Sequence, residues 1–193
     1  TMRGVMRDVT ESRKTEQRVA RLARYDTLSG LAHRHQFNET LADVLGGQVR
    51  NQHVALLYID LDHFKSVNDT LGHHIGDELV KAAASRINAL VREHDLAARL
   101  GGDEFAVLMT RVRNLDAAHQ CAQRIVDAMA EPFNLLGQTV RVSASVGVAH
   151  SPSHGTKGEE FMRQADLALY AAKNAGRSTY ADYDASLNQR ECT

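Results

Sequence analysis

Apolar residues recur along the chain in two periods. Phe37, Leu41, Val44 and Leu45 fall three or four apart, which predicts a helix from Arg34 that Gly46-Gly47 ends. Val54-Ala55-Leu56-Leu57-Tyr58-Ile59-Asp60 is almost continuously apolar and predicts a central strand buried on both faces. A short helix follows over His63 to Leu71, with Phe64, Val67 and Leu71 inward. Gly72 stops it, and a longer helix runs to about Val91 on a stripe of Leu79, Val80, Ala83, Ile87 and Leu90. Leu96 to Leu100 and Phe105 to Met109 read as the arms of a hairpin around Gly101-Gly102. Asn114 to Ala130 is an amphipathic helix with Cys121, Ile125, Val126 and Met129 inward, and Phe133 to Val140 is a small hairpin turning at Gly137. Val142, Ala144, Val146 and Val148 alternate with Arg141, Ser143, Ser145 and Gly147, which predicts a strand buried on one face. Lys157 to Ala175 closes the series as a helix with Phe161, Ala165, Ala168, Leu169 and Ala172 inward, and Tyr180 to Tyr183 suits a closing strand. The order β-α-α-β-β-α-β-α is an α/β layout with a mixed or antiparallel central sheet and helices on its faces.

The flanks are different. Residues 1–9 look like the end of a strand that belongs elsewhere. Thr10 caps a mostly charged helix to about Arg24, too polar to fold alone, and so a connector or one strand of a short coiled coil. We therefore divide the chain into a strand and helical linker over 1–24, one domain over 25–182 and a C-terminal linker over 183–193.

Composition narrows the class. Hydrophobic residues make up 43% of the 193, and 2 prolines with 13 glycines argue against a disordered or loop-rich chain. A net charge of −1 gives no basic excess, so nucleic acid is not an expected partner. The two cysteines, Cys121 and Cys192, stand far apart and read as free thiols in a reducing compartment. Every apolar run is too short to span a bilayer, so a cytoplasmic domain is expected, its parent chain membrane-attached or not.

The chemistry gathers at Arg99-Leu100-Gly101-Gly102-Asp103-Glu104-Phe105 and at Asp60-Leu61-Asp62. The hairpin tip carries two adjacent carboxylates, and Asp60 and Asp62 lie where a buried strand ends. Taken singly, these are a solvated hairpin and a pair of helix caps. If the strands pair, Asp60, Asp103 and Glu104 converge at one end of the sheet and repel one another unless a divalent cation neutralises them. Mg²⁺, bound by one or two carboxylates and by substrate phosphates, is the expected partner. Lys65, Lys173 and Arg177 are the cations for a triphosphate, although the last two also suit a helix C-terminus. His73-His74 is not read as a metal site, because adjacent helical positions face apart. No Gly-rich loop ending in Lys-Ser/Thr is present, which argues against a P-loop NTPase.

Five blocks, in order, resemble the GGDEF domain of the diguanylate cyclase family. They are Asp26-x-Leu28-Ser29-Gly30-Leu31-x-x-Arg34, Asp60-Leu61-Asp62-x-Phe64-Lys65-x-x-Asn68-Asp69, Gly72-His73-x-x-Gly76-Asp77, Gly101-Gly102-Asp103-Glu104-Phe105 and Ala165-Asp166-x-Ala168-Leu169-Tyr170-x-Ala172-Lys173-x-x-Gly176-Arg177. The resemblance covers residues 25 to about 182 and implies a mostly antiparallel sheet flanked by helices, similar to the nucleotidyl-cyclase and polymerase palm. It implies condensation of two GTP into cyclic di-GMP, with release of two pyrophosphates, across a homodimer in which each domain binds one GTP. It further implies Mg²⁺ (or Mn²⁺) on Asp60 and Asp103 with the Leu61 carbonyl, and Glu104 deprotonating the attacking hydroxyl or sharing a metal. Asn68 and Asp77 would read guanine. Lys65, Lys173, Arg177 and backbone amides near His63 and Phe64 would hold the β- and γ-phosphates. Arg92-x-x-Asp95 sits at the family's inhibitory-site spacing, with five residues before Gly101, and implies arrest by bound cyclic di-GMP.

Two positions depart from the family: Ser29 stands where Thr is usual, and His33 where Asn is usual before Arg34. Arg7-Asp8-Val9-Thr10-Glu11 and the charged helix after it resemble the exit of a PAS sensor domain, and the tail after Tyr183 could lead to an EAL phosphodiesterase domain. The rival to an active cyclase is a silent domain that binds GTP or cyclic di-GMP and controls a neighbouring phosphodiesterase.

Overall fold

The computed structural model describes residues 24–47, 53–151 and 157–192, with backbone only from residue 189. The strand end expected over 1–9, the linker helix before Arg24 and the PAS-like exit therefore lie outside the described residues.

The elements are β1 (Ala32–His33), α1 (Arg34–Gly46), β2 (His53–Asp62), α2 (Phe64–Leu71), α3 (His73–Leu90), β3 (Leu96–Gly101), β4 (Glu104–Val112), α4 (Leu115–Ala130), β5 (Phe133–Leu135), β6 (Gln138–Val140), β7 (Ser143–Ser151), α5 (Gly158–Asn174) and β8 (Tyr180–Asp182), followed by a 3₁₀ segment over Ala185–Cys192. Six strands form one sheet in the order β1-β3-β4-β2-β7-β8, and β5 and β6 form a separate hairpin. The ladders β2–β4, β2–β7 and β3–β4 are antiparallel, while the outer pairs β1–β3 and β7–β8 are parallel.

β2 lies at the centre because it has no polar face to show. Ala55, Leu57, Ile59 and Leu61 point to one layer, formed by α3 and α4 with Leu79, Ala83, Ile87, Ile125 and Met129. Val54, Leu56 and Tyr58 point to the other, formed by α1 and α5 with Phe37, Leu41, Phe161, Ala165 and Ala168. Asp60 and Asp62 continue the second set, since side chains alternate along an extended strand. Helix stripes match expectation at Phe37, Leu41 and Leu45 in α1 and at Leu79, Val80, Ala83 and Ile87 in α3.

Two expectations are corrected. Leu71, expected inward, is 38% exposed, because α2 is a short surface helix with no fully buried residue. β7, expected to be buried on one face, is buried on both. Its small residues are covered by α5: a Cβ on Gly147 would stand 2.1 Å from the Ala165 carbonyl oxygen and 2.2 Å from the Leu169 nitrogen. Alternation of Val with Ser and Gly therefore marked close helix–sheet packing rather than a solvated face.

Candidate functional site

The hairpin tip is formed by Gly101 at φ 148° and Gly102 at φ 51°, values that side chains resist. Arg99 holds this turn to the loop that carries Asp26 and Ser29. Its Nε and Nη2 donate to the Gly102 carbonyl at 3.0 and 2.8 Å, and its Nη1 pairs with Asp26 at 3.1 Å. The Asp26 carboxylate also accepts from the Ser29 N–H at 2.7 Å. Burial pushes this carboxyl up, but the Ser29 and Arg99 contacts outweigh it and hold Asp26 below its ordinary value. Because the folded value lies below the unfolded one, the pair stabilises the domain above about pH 4, and that contribution is lost as the pH falls through the folded value. Urea unfolding across pH 7 to pH 3 checks this: the cost of Asp26→Asn is expected to be largest at pH 7 and to shrink as the pH falls below about 4.

The register of β2 on β4 places Asp60 directly opposite Glu104. Leu61 N–H donates to the Asp103 carbonyl at 3.3 Å, fixing the tip to the end of β2. Burial is the largest influence on both facing carboxyls and pushes both up. Asp103 and Asp62 push Asp60 further, against the pull of Lys173, while Asp60 and Asp103 push Glu104, against the pull of Arg34 and a Tyr58 hydroxyl hydrogen bond. Lys173 Nζ lies 2.9 Å from Asp60 Oδ2, and Arg34 Nη2 lies 3.5 Å from Glu104 Oε2 while its Nε donates to the Leu100 carbonyl at 2.8 Å. Beneath them the buried Tyr58 phenol, pushed up to about 12 chiefly by burial and by Glu104, stays neutral at working pH.

Asp62 has a different role from its neighbour. Only 1% exposed, it accepts from Ser143 Oγ at 2.6 Å, Ser145 Oγ at 2.7 Å and the Ser178 N–H at 3.1 Å. It ties the turn after α5 to the ends of β2 and β7. Gly176, Arg177 and Ser178 in that turn have φ of 119°, 64° and 50°. Two consecutive non-glycine residues in the left-handed region are costly, and such strain persists where the surroundings fix it. His63, at φ 61°, opens α2 in the same way, so the helix N-terminus around Phe64 and Lys65 starts immediately after Asp62.

Between α2 and α3, Asn68 Oδ1 is buried without a hydrogen-bond partner. It rests on Gly76, where a Cβ would approach it to 1.8 Å, and Asp77 follows on an exposed turn of α3. A buried amide oxygen left unpaired is rare in folded proteins and marks a position that a ligand could complete. Arg92 and Asp95 lie at the opposite end of β3 from the tip. Arg92 is exposed; the Asp95 side chain is 3% exposed and accepts from the Thr110 N–H at 2.8 Å. Arg92, Asp95 and Arg124 of α4 all act on the buried Cys121 thiol, whose pKa is raised by burial first. His73 and His74 are both exposed, in line with the sequence reading.

The structure thus brings Asp60, Asp103, Glu104 and Lys173 together and sets Asn68 and Asp77 on the two helices beyond. Sequence reasoning missed Tyr58, the Arg34–Glu104 contact and the structural duty of Asp62; only long-range pairing reveals them. Among the described residues, no three His, Cys, Asp or Glu converge tightly enough to hold a metal by themselves. Mg²⁺ commonly binds through one or two carboxylates and takes its remaining ligands from water and phosphate. The donors are hard oxygens, and the ammonium of Lys173 already stands in for a cation at Asp60.

Comparison with known proteins identifies the family to which this fold belongs. The family model described as "Diguanylate cyclase, GGDEF domain" matches residues 23–179. The chain is 36% identical over 189 residues to the signaling protein YkoW of Bacillus subtilis, covering 97% of this chain and 24% of that protein. It is 38% identical over 180 residues to MucR of Pseudomonas aeruginosa, named a bifunctional diguanylate cyclase/cyclic di-GMP phosphodiesterase, covering 93% of this chain and 26% of MucR. It therefore spans about a quarter of the length of these two relatives. Among solved structures, the GGDEF domain of PA1120 from Pseudomonas aeruginosa superposes with a TM-score of 0.84 at 35% identity, covering 88% of this chain and 99% of that one. The coiled coil and GGDEF domain of DgcB from Caulobacter crescentus, in complex with c-di-GMP, superposes with a TM-score of 0.83 at 29% identity, covering 91% and 93%. The chain belongs to the GGDEF diguanylate cyclase family.

Proposed function

We propose that this domain is an active diguanylate cyclase, condensing two GTP into cyclic di-GMP with release of two pyrophosphates. The observation that carries the reading is the pairing of Asp60 with Glu104 at the sheet end, with Asp103 beside them and Lys173 within reach. Asp60 and Asp103, with the Leu61 carbonyl, are the residues to hold Mg²⁺ (or Mn²⁺). Bound there, the cation would neutralise charge developing at the α-phosphate and acidify the attacking hydroxyl.

The chain's own groups do the rest. Asn68 and Asp77 face the guanine edge, an amide and a carboxylate being suited to its O6 acceptor and its N1 and N2 donors. Lys173, Arg177, Lys65 and the amides that open α2 take the β- and γ-phosphates, since a helix N-terminus favours anions. Asp62 keeps Arg177 in register with Asp60 through the Ser178 amide. Glu104 accepts the proton of the 3′-hydroxyl as the oxygen attacks the α-phosphorus of the other GTP and pyrophosphate leaves. Burial raises its pKa, which is the direction that makes a carboxylate a better proton acceptor. One domain holds one nucleotide, so the second must be presented by another copy. Arg92 and Asp95, at the far end of β3, are proposed as an inhibitory site for the product; a sensor before the domain and an EAL domain after it are proposed as its neighbours.

A second reading has one observation behind it. NbdA of Pseudomonas aeruginosa, named a cyclic di-GMP phosphodiesterase, is 42% identical over 158 residues. A silent module would bind GTP and yield no cyclic di-GMP; the assay that separates the two closes the Discussion.

A further inference from the structure

The site places a chain cation where the proposed metal has to bind. Lys173 Nζ sits 2.9 Å from Asp60 Oδ2, with the two side chains 30% and 15% exposed. This pair is partly withdrawn from water, so it is stronger than a fully exposed one. The partners differ in freedom. Asp60 is fixed on the central strand, paired with β4 on one side and β7 on the other. Lys173 stands in the last turn of α5 on a flexible stem, one turn before the strained segment Gly176-Arg177-Ser178.

We propose that Lys173 is an internal counter-ion that neutralises Asp60 until a triphosphate draws it away, so that the site binds divalent cation and nucleotide synergistically and the free cation weakly. The proposal rests on the reading of Asp60 as a cation ligand and Lys173 as a phosphate contact. A divalent ion approaching Asp60 in the absence of nucleotide meets an ammonium a few ångströms away and shares one carboxylate with it. A triphosphate offers Lys173 a more highly charged partner. Once the ammonium leaves, Asp60 is exposed to the charges of Asp103 and Asp62, with Glu104 directly opposite, and a divalent ion relieves that repulsion. Each ligand thus prepares the site for the other, and linkage requires the coupling to be reciprocal. Arg34 pairs with Glu104 rather than with Asp60, so the proposed exchange concerns Asp60.

The test needs no turnover. Mn²⁺ binding without nucleotide is followed by electron paramagnetic resonance for the unsubstituted domain and for Lys173→Met, Lys173→Gln, Lys173→Arg and Asp60→Asn. Thermal melts confirm folding, and either uncharged Lys173 variant suffices. The uncharged variants are expected to bind Mn²⁺ at least about fivefold more tightly than the unsubstituted domain, Lys173→Arg about equally, and Asp60→Asn scarcely at all. Affinity for guanosine 5′-(α,β-methylene)triphosphate is then measured by calorimetry with Mg²⁺ and with EDTA. The gain from Mg²⁺ is expected to shrink at least about fivefold in the uncharged variants. If they bind Mn²⁺ no more tightly while Asp60→Asn still abolishes binding, the counter-ion role is overturned and the metal reading survives. If no protein binds Mn²⁺ with or without nucleotide, the metal reading fails and takes the proposal with it.

Discussion

Asp60→Asn is expected to lower cyclic di-GMP formation by about a thousandfold, the scale on which removal of one preorganised electrostatic group acts in other enzymes. The amide keeps the size of the carboxylate but removes the charge that would bind a cation and that now pairs with Lys173. Folding should change little. The substitution loses one partly exposed ion pair and relieves repulsion from Asp103 and Asp62, two effects of opposite sign and each about 1 kcal/mol or less. A loss of product with an unchanged melting curve separates chemistry from folding. A variant retaining more than about a tenth of the activity would remove Asp60 from the role assigned to it.

Gly147→Ala is expected to have the largest effect on stability, about 3–5 kcal/mol, out of the 5–15 typical of a domain. Its Cβ would overlap the Ala165 carbonyl oxygen and the Leu169 nitrogen, both backbone atoms of α5 that no rotamer change can move aside. The helix would have to lift from β7, and with it Lys173 and the turn bearing Arg177. Urea unfolding measures the loss directly, and any folded fraction should also be impaired in GTP binding. A midpoint unchanged within error would mean that α5 does not pack on β7 as described.

Much of the fold was legible because it depends on local signals. Gly101-Gly102 between two apolar runs reads as a tight hairpin, and the unbroken run from Val54 to Ile59 reads as a central strand; both are found. That these two elements pair was a condition the sequence left open, and the register of β2 on β4 supplies it, with the meeting of Asp60 and the tip. What escaped is set by partners far apart in the chain. Asp62 looked equivalent to Asp60, but Ser143 and Ser145, 81 and 83 residues away, turn it into a structural anchor. Small residues on β7 looked solvated because a helix pressed against glycine and serine leaves no apolar trace. Leu71 fitted a helical stripe, yet nothing in its own segment reveals that the layer beneath ends before reaching it. Tyr58 read as one more core residue, because neither strand nor period indicates that its hydroxyl meets Glu104.

The measurement that bears most directly on the central claim is product formation as a function of protein concentration. The domain is incubated with GTP and Mg²⁺, and cyclic di-GMP and pyrophosphate are followed together, with Glu104→Ala as control. An active cyclase that works across two copies predicts two pyrophosphates per cyclic di-GMP, a rate that rises faster than linearly with protein at low concentration, and no product from the control. GTP binding without product at any concentration would contradict the cyclase reading and leave this domain a regulatory module.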